Sequence, residues 1–102
     1  MDRIEVLKEI LHEDPQDSFA RYGLAMELAK QGSLAEAISE FRRLLSINPN
    51  YCAAYYQAGQ TLEKLGKYEE AKETYRQGIE VASRLNDAKT RGELEAVLDL
   101  LG

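Results

Sequence analysis

Histidine and cysteine are the side chains that most often supply a base, a nucleophile or a metal ligand near neutral pH, and this chain has one of each, His12 and Cys52. A base needs a nucleophile within hydrogen-bond reach, and a structural or catalytic metal needs several ligands, so a lone histidine supports neither. His12 reads as a surface or helix-end residue. Cys52 opens a predicted helix, where the dipole would lower a thiol pKa, but no histidine or second cysteine is near it in sequence, and it reads as an inert small residue. Glu69, Glu70 and Glu73 suit a solvated helix start better than an acid–base pair. Gly32 and Gly66 stand alone at predicted helix ends, so no glycine-rich loop cradles a phosphate. The expectation is a protein that is not an enzyme and uses no metal or cofactor.

Composition narrows the partners. The chain has 102 residues, 30% of them charged and 44% apolar, enough for one folded domain and too hydrophobic for disorder. Its formal net charge is -5, which gives no basic field to hold nucleic acid or an anionic membrane surface. A single cysteine cannot form an internal disulfide. The opening Met1-Asp2-Arg3-Ile4 lacks the basic and apolar segments of a signal peptide, and no run is long enough to span a bilayer, so the expected compartment is the cytoplasm.

What the elements look like follows from a repeat. A shift of 34 residues places Tyr22 on Tyr56, Leu28 on Leu62, Lys30 on Lys64, Gly32 on Gly66, Glu36 on Glu70, Ala37 on Ala71 and Arg42 on Arg76. Phe41 falls on Tyr75, Leu45 on Ile79 and Ile47 on Val81, preserving apolar character. A fixed period of this length denotes stacked supersecondary units.

In chain order, Ile4, Leu7, Ile10 and Leu11 share one helical face before Asp14-Pro15 ends the pattern. Ile4, Leu7, Leu11 and Pro15 lie one period before Ile38, Phe41, Leu45 and Pro49, so this segment is the second half of a truncated repeat that covers one end of the stack. Asp17 and Ser18 supply cap oxygens for a helix over 18–31 ending at Gly32. Ser33-Leu34-Ala35-Glu36 reads as a capping box, opening a helix whose buried face carries Ala37, Ile38, Phe41, Leu44 and Leu45 and which stops before Asn48-Pro49-Asn50. The cycle repeats with helices over 51–65 and 68–84. Asn86 and Asp87 can cap a final helix over 88–101, with Thr90 and Glu93 as a later alternative. Gly23, Gly59, Gly78 and Gly92 lie inside predicted helices, where each costs about 1 kcal/mol relative to alanine, and the pattern predicts close helix packing at all four.

A 34-residue helix-turn-helix unit with Tyr55, Gly59 and Leu62 in its first helix, Gly66 at the turn, and Ala71, Tyr75 and Gly78 in its second resembles the tetratricopeptide repeat. The units run 18–51 and 52–85, flanked by an N-terminal half-repeat helix over 1–17 and a C-terminal capping helix over 86–102. Two positions depart from the family: Ser83 stands where the boundary proline would be, so the second unit's last helix should run on, and Arg21 replaces the favoured tryptophan, which should loosen the first helix pair. The resemblance implies an all-α, right-handed stack of antiparallel helix pairs, about five helices, with a capping C-terminal helix.

The family's stacks bind peptides or partner helices in a concave groove lined by the first helix of each unit. The resemblance maps that lining onto Phe19, Tyr22, Met26, Ala29 and Lys30 in the first unit, and Ala53, Tyr56, Gln57, Gln60 and Lys64 in the second. Tyr22 and Met26 lie one turn apart, as do Tyr56 and Gln60, on a face distinct from Leu24 and Leu28, and aromatic and methionine side chains give large contact area at low entropy cost. The same stripe would also serve as core packed under the end helices, and Lys30 and Lys64 as solvated helix ends. Members that clamp acidic chaperone tails carry lysine and asparagine where this chain has Tyr22, Met26, Gln57, Asp87 and Arg91, so that clamp is largely absent, though Gln57 and Arg91 retain hydrogen-bonding capacity. The function expected is an interaction module for a peptide or helix of another protein. The alternative is a self-associating homo-oligomer subunit whose C-terminal helix docks Leu94, Leu98 and Leu101 on a neighbour.

Overall fold

The computed structural model describes residues 2–102; Met1, the first residue of the segment read above for a leader, lies outside them. Six helices and no strand occur among the described residues: α1 Arg3–Glu13, α2 Ser18–Lys30, α3 Leu34–Ile47, α4 Cys52–Lys64, α5 Tyr68–Arg84 and α6 Ala88–Leu101. The helices thus number six with the C-terminal cap counted, against about five expected. Each packs on the next in sequence. The even-numbered helices also approach one another closely, α2 against α4 and α4 against α6, whereas the backbones of α1, α3 and α5 stay further apart, α3 and α5 being bridged by the ion pair of Arg42 with Glu70 at 3.1 Å. A stack whose even layer closes while its odd layer splays is curved, with α2, α4 and α6 on the inside of the bend. No helix is long and apolar enough to cross a membrane among the described residues.

Local chemistry sets the helix ends. Asp2, Asp17 and Asp87 accept hydrogen bonds from the amides of Glu5, Ala20 and Thr90, the third residue after each, which starts α1, α2 and α6. The Ser33–Glu36 capping box does not form: Ser33 makes no side-chain cap bond, and α3 starts on backbone bonding and packing alone. Thr90 and Glu93 likewise do not open α6, because Asp87 does. Gly32 and Gly66 end α2 and α4 with φ of +86° and +76°, where the amide of the next residue reaches back to the carbonyls of Leu28 and Leu62 at 2.9 Å. Asn86 does the same for α5 at φ 58°, its follower Asp87 bonding the Ala82 carbonyl at 2.8 Å.

With Ser83 instead of proline, α5 runs 17 residues against 14 for α3. The consequence is a register change. The cap residues of α2, α4 and α6 are Asp17, Tyr51 and Asp87, spaced 34 and then 36 residues apart, so α6 is displaced by two positions from strict repetition.

Two contiguous clusters form the core. Leu11, Leu24, Leu28, Phe41 and Leu44 pack between α1, α2 and α3; Ile38, Tyr55, Leu62, Tyr75, Val81 and Leu94 pack between α3, α4, α5 and α6. Close approach explains two of the four helical glycines. A Cβ on Gly59 would lie 2.1 Å from Cε1 of Tyr75, and one on Gly78 would lie 2.6 Å from Cβ of Tyr55. Gly23 leaves ordinary contact with Leu7 at 3.4 Å, and Gly92 has nothing within 4 Å, so close packing does not account for Gly92.

Candidate functional site

The inside of the curve is built from one face each of α2, α4 and α6. On α2, Phe19 is 79% exposed at the first turn, an unusual state for an aromatic ring. Tyr22 and Met26, one turn and two turns further, are half-buried and lean on the first core cluster together with Ala29. The Tyr22 ring meets Phe41 edge-on at 6.2 Å and lies 5.1 Å from the ring of Tyr51. Burial, and then the neighbouring Tyr51, push the Tyr22 hydroxyl above its ordinary range, with the Gln57 side chain of α4 acting in the opposite direction. Lys30 is exposed at the helix end. The stripe is therefore packed on the core along one side and reaches solvent along the other.

On α4, Tyr56, Gln57 and Gln60 are half-buried, Ala53 and Lys64 exposed. Tyr56 stands 6.5 Å from the ring of Tyr75. Gln60 Nε2 donates to the Tyr75 hydroxyl at 2.8 Å and to Glu63 Oε2 at 3.3 Å, and the Tyr75 hydroxyl itself donates to Glu63 Oε2. Burial, followed by the bond to Glu63, pushes the Tyr75 hydroxyl far up from the usual phenol range. Glu63, Tyr75 and Tyr51 are not among the residues that the resemblance maps onto the groove. For Glu63 the signal was present, since the period places it on Ala29, a residue already assigned to the groove. Tyr75, the period partner of Phe41, belongs to the buried face of α5, and only its length carries its hydroxyl through to α4.

Residues compared above with an acidic-tail clamp do not assemble one. The Asp87 carboxylate is spent capping α6 and is held below the usual carboxylate range, first by its bonds to Thr90. The two-residue displacement of α6 puts Arg91 at the place of Tyr55 rather than Gln57, and its guanidinium pairs with Glu95 at 3.6 Å. Of the C-terminal leucines, Leu94 is fully buried and Leu98 and Leu101 lean on the same chain's core, whereas Leu100 is 86% exposed.

Arg21, expected to loosen the first helix pair, is 4% exposed and fills the place of Tyr55. Its Nη1 donates to Glu40 Oε1 at 2.6 Å and its Nη2 to the Pro15 carbonyl at 3.0 Å; Tyr55 donates to the Pro49 carbonyl at 2.7 Å, the same tie one repeat later. His12 is exposed, and burial pushes the Cys52 thiol up, away from thiolate chemistry. A separate depression of about 430 Å³ lies between α3 and α5 over a different face of α4, floored by Ile38, Leu45 and Leu62.

A family model described as tetratricopeptide repeat matches residues 53–84, and another, described as TPR repeat, matches 26–66. This chain belongs to the tetratricopeptide repeat family. It is 30% identical over 74 residues to an uncharacterized protein of Methanocaldococcus jannaschii, covering 72% of this chain and 86% of that one. A tetratricopeptide repeat domain protein from Salinibacter ruber, solved by NMR, superposes with a TM-score of 0.81 at 36% identity, covering 86% and 89% of the two chains. The TPR2B domain of yeast Sti1, solved as a complex with pHsp70, superposes at 0.89 with 21% identity, covering 96% of this chain and 78% of that one, a likeness of fold. Within the tetratricopeptide framework, Arg21 and Ser83 are the informative departures: the first swaps an aromatic wedge for an ion pair, and the second lengthens α5 and resets α6. The tetratricopeptide fold is one for protein–protein interaction.

Proposed function

We propose that this chain is an interaction module that binds a peptide or helical segment of another protein along the inside of its curve, without catalytic activity of its own and in the cytoplasm. Units 18–51 and 52–85 each contribute one groove helix. The observation that carries the reading is Phe19: a ring 79% exposed on the inner layer, continuous with half-buried Tyr22 and Met26, is contact area without an intramolecular partner. Lys30 and Lys64 border the same surface at the ends of α2 and α4. The TPR2B domain of Sti1, solved as a complex with pHsp70, lends support at the level of architecture.

Phe19→Ala is the cleaner probe, because alanine at Tyr22 or Tyr56 also removes core contacts. A pull-down from source-cell lysate with wild type and Phe19→Ala should yield a protein held by the first and weakened with the second. Equal capture by both would refute the assignment. The second reading, self-association, is favoured by one observation: Val6 and Ile10 are exposed on α1 at one end of the stack and Leu100 on α6 at the other. A mass that rises with protein concentration would move the function there.

A further inference from the structure

The two repeats differ at four positions that meet in space. One period on, Ala25, Met26, Ala29 and Phe41 become Gly59, Gln60, Glu63 and Tyr75. The first set is wholly apolar; the second builds a polar device. The Tyr75 ring is fully buried and occupies the volume a side chain at residue 59 would need, 2.1 Å from where a Cβ would stand. So seated, it delivers its hydroxyl to the face of α4 that bears Gln60 and Glu63. There the hydroxyl and the Gln60 amide both donate to Oε2 of Glu63, and neither engages Oε1.

A helical glycine and a buried phenol are costly ways to make a contact that alanine and phenylalanine make one repeat earlier. What the exchange produces is a carboxylate aimed before any ligand arrives, which lowers the ordering cost of binding. Glu63 is half-buried and has no ion-pair partner among the described residues, although Lys64 follows it in sequence. Among the described residues, hydrogen-bond donors and no cation pair with this carboxylate.

We infer that Glu63 is the polar anchor of the concave surface and takes the lysine or arginine side chain of a partner peptide, whose apolar residues lie along Phe19, Tyr22 and Tyr56. The inference rests on the concave-face reading above. The net charge of -5 adds long-range attraction for a basic segment. Tyr56 and Glu63 are one heptad apart, about 10 Å along α4, which an extended ligand covers in about three residues. The recognised pattern is an apolar residue and a basic residue with two positions between them.

Selection from a random-peptide display library on the full chain tests this, using wild type, Glu63→Gln and Phe19→Ala. Glutamine keeps a carbonyl acceptor for Tyr75 and for any backbone amide but removes the charge. The wild-type pool should be enriched in lysine or arginine at that spacing, and the Glu63→Gln pool should not. A synthetic peptide from the wild-type pool should bind Glu63→Gln about tenfold more weakly by fluorescence anisotropy, with no further loss when its basic residue is replaced by methionine. Glu63→Ala with Tyr75→Phe, which restores the residues of the first repeat, should give the same loss if Glu63→Gln does not fold. Pools alike for wild type and Glu63→Gln, or enriched in acidic residues, overturn the inference. If those pools still depend on Phe19, the concave-face reading survives; if wild type selects nothing, both fall.

Discussion

Replacing Gly59 by alanine tests the central packing argument. By helix propensity alone the change should stabilise α4 by about 1 kcal/mol. The added Cβ, however, would stand 2.1 Å from Cε1 and 2.5 Å from Cζ of a ring that is fully buried and tethered at its hydroxyl to Gln60 and Glu63. Overpacking of this kind costs up to about 3 kcal/mol, so the net expectation is a loss of about 2 kcal/mol, or about 10 °C in Tm for a chain of this size. Tyr75→Phe should cost about 1–2 kcal/mol through the lost hydroxyl bond to a carboxylate. Combined with Gly59→Ala, it recreates the Ala25–Phe41 pairing of the first repeat, with the ring released to shift. The two losses should then fall short of additivity by about 1 kcal/mol or more. Urea unfolding followed by circular dichroism at the helical band measures all three variants. Gly92→Ala is the control, with open space around its Cβ and an expected gain of about 1 kcal/mol. If Gly59→Ala stabilises the protein as Gly92→Ala does, the ring does not sit over Gly59 and Tyr75 does not orient Glu63.

Two further outcomes follow from buried groups. Glu40→Ala should destabilise by about 3 kcal/mol, because the guanidinium of Arg21 is left buried with one carbonyl for company; Arg21→Tyr with Glu40→Thr, the pair found at Tyr55 and Thr74, should recover most of the loss in the same urea assay. A loss near zero for Glu40→Ala would mean that the ion pair is not the element holding Arg21. Stability should also fall with alkaline pH. The Tyr75 hydroxyl has its folded pKa raised above the ordinary phenol value of about 10, so the folded state resists deprotonation, the full contribution is present below pH 10, and it drains away as pH rises above that. Tyr22, Tyr51 and Tyr55 shift in the same direction, each led by burial, and add to the slope. Urea midpoints between neutral pH and pH 11 should decline, and Tyr75→Phe should shallow the decline.

Much of the architecture is local and was therefore readable. Gly32, Gly66 and Pro49 punctuate the chain through backbone conformation, and the apolar spacing of Ala37, Phe41 and Leu44 follows helical geometry, so the positions of α2 to α5 needed no knowledge of contacts. Ser83 in place of proline even announced the longer α5. The capping box at Ser33 misled because a serine and a glutamate three residues apart permit that geometry without requiring it, and packing of α3 sufficed. Gly92 misled because the same residue type serves crowded and empty places.

The candidate site divides along the same line. Helical spacing was enough to put Tyr22 with Met26, and Tyr56 with Gln60, on one face of each helix, since residues one turn apart must share it, whereas Phe19 and Gln57 joined that lining through the family resemblance. Whether such a residue is open or spent on the core depends on neighbours far away in sequence: Tyr22 leans on Phe41 and Tyr51, whereas Phe19 meets nothing comparable. The displacement of α6 removed Arg91 from the groove face through two residues of α5 and its turn, a non-local consequence of a local change. By itself, then, the sequence determined the repeat, its helices and their faces, because these depend on interactions within a few residues. Only the tertiary structure decided that Tyr75 passes over Gly59 to hold Glu63 and that Arg21 is neutralised by Glu40, because those depend on side-chain reach between helices that the chain brings together only on folding.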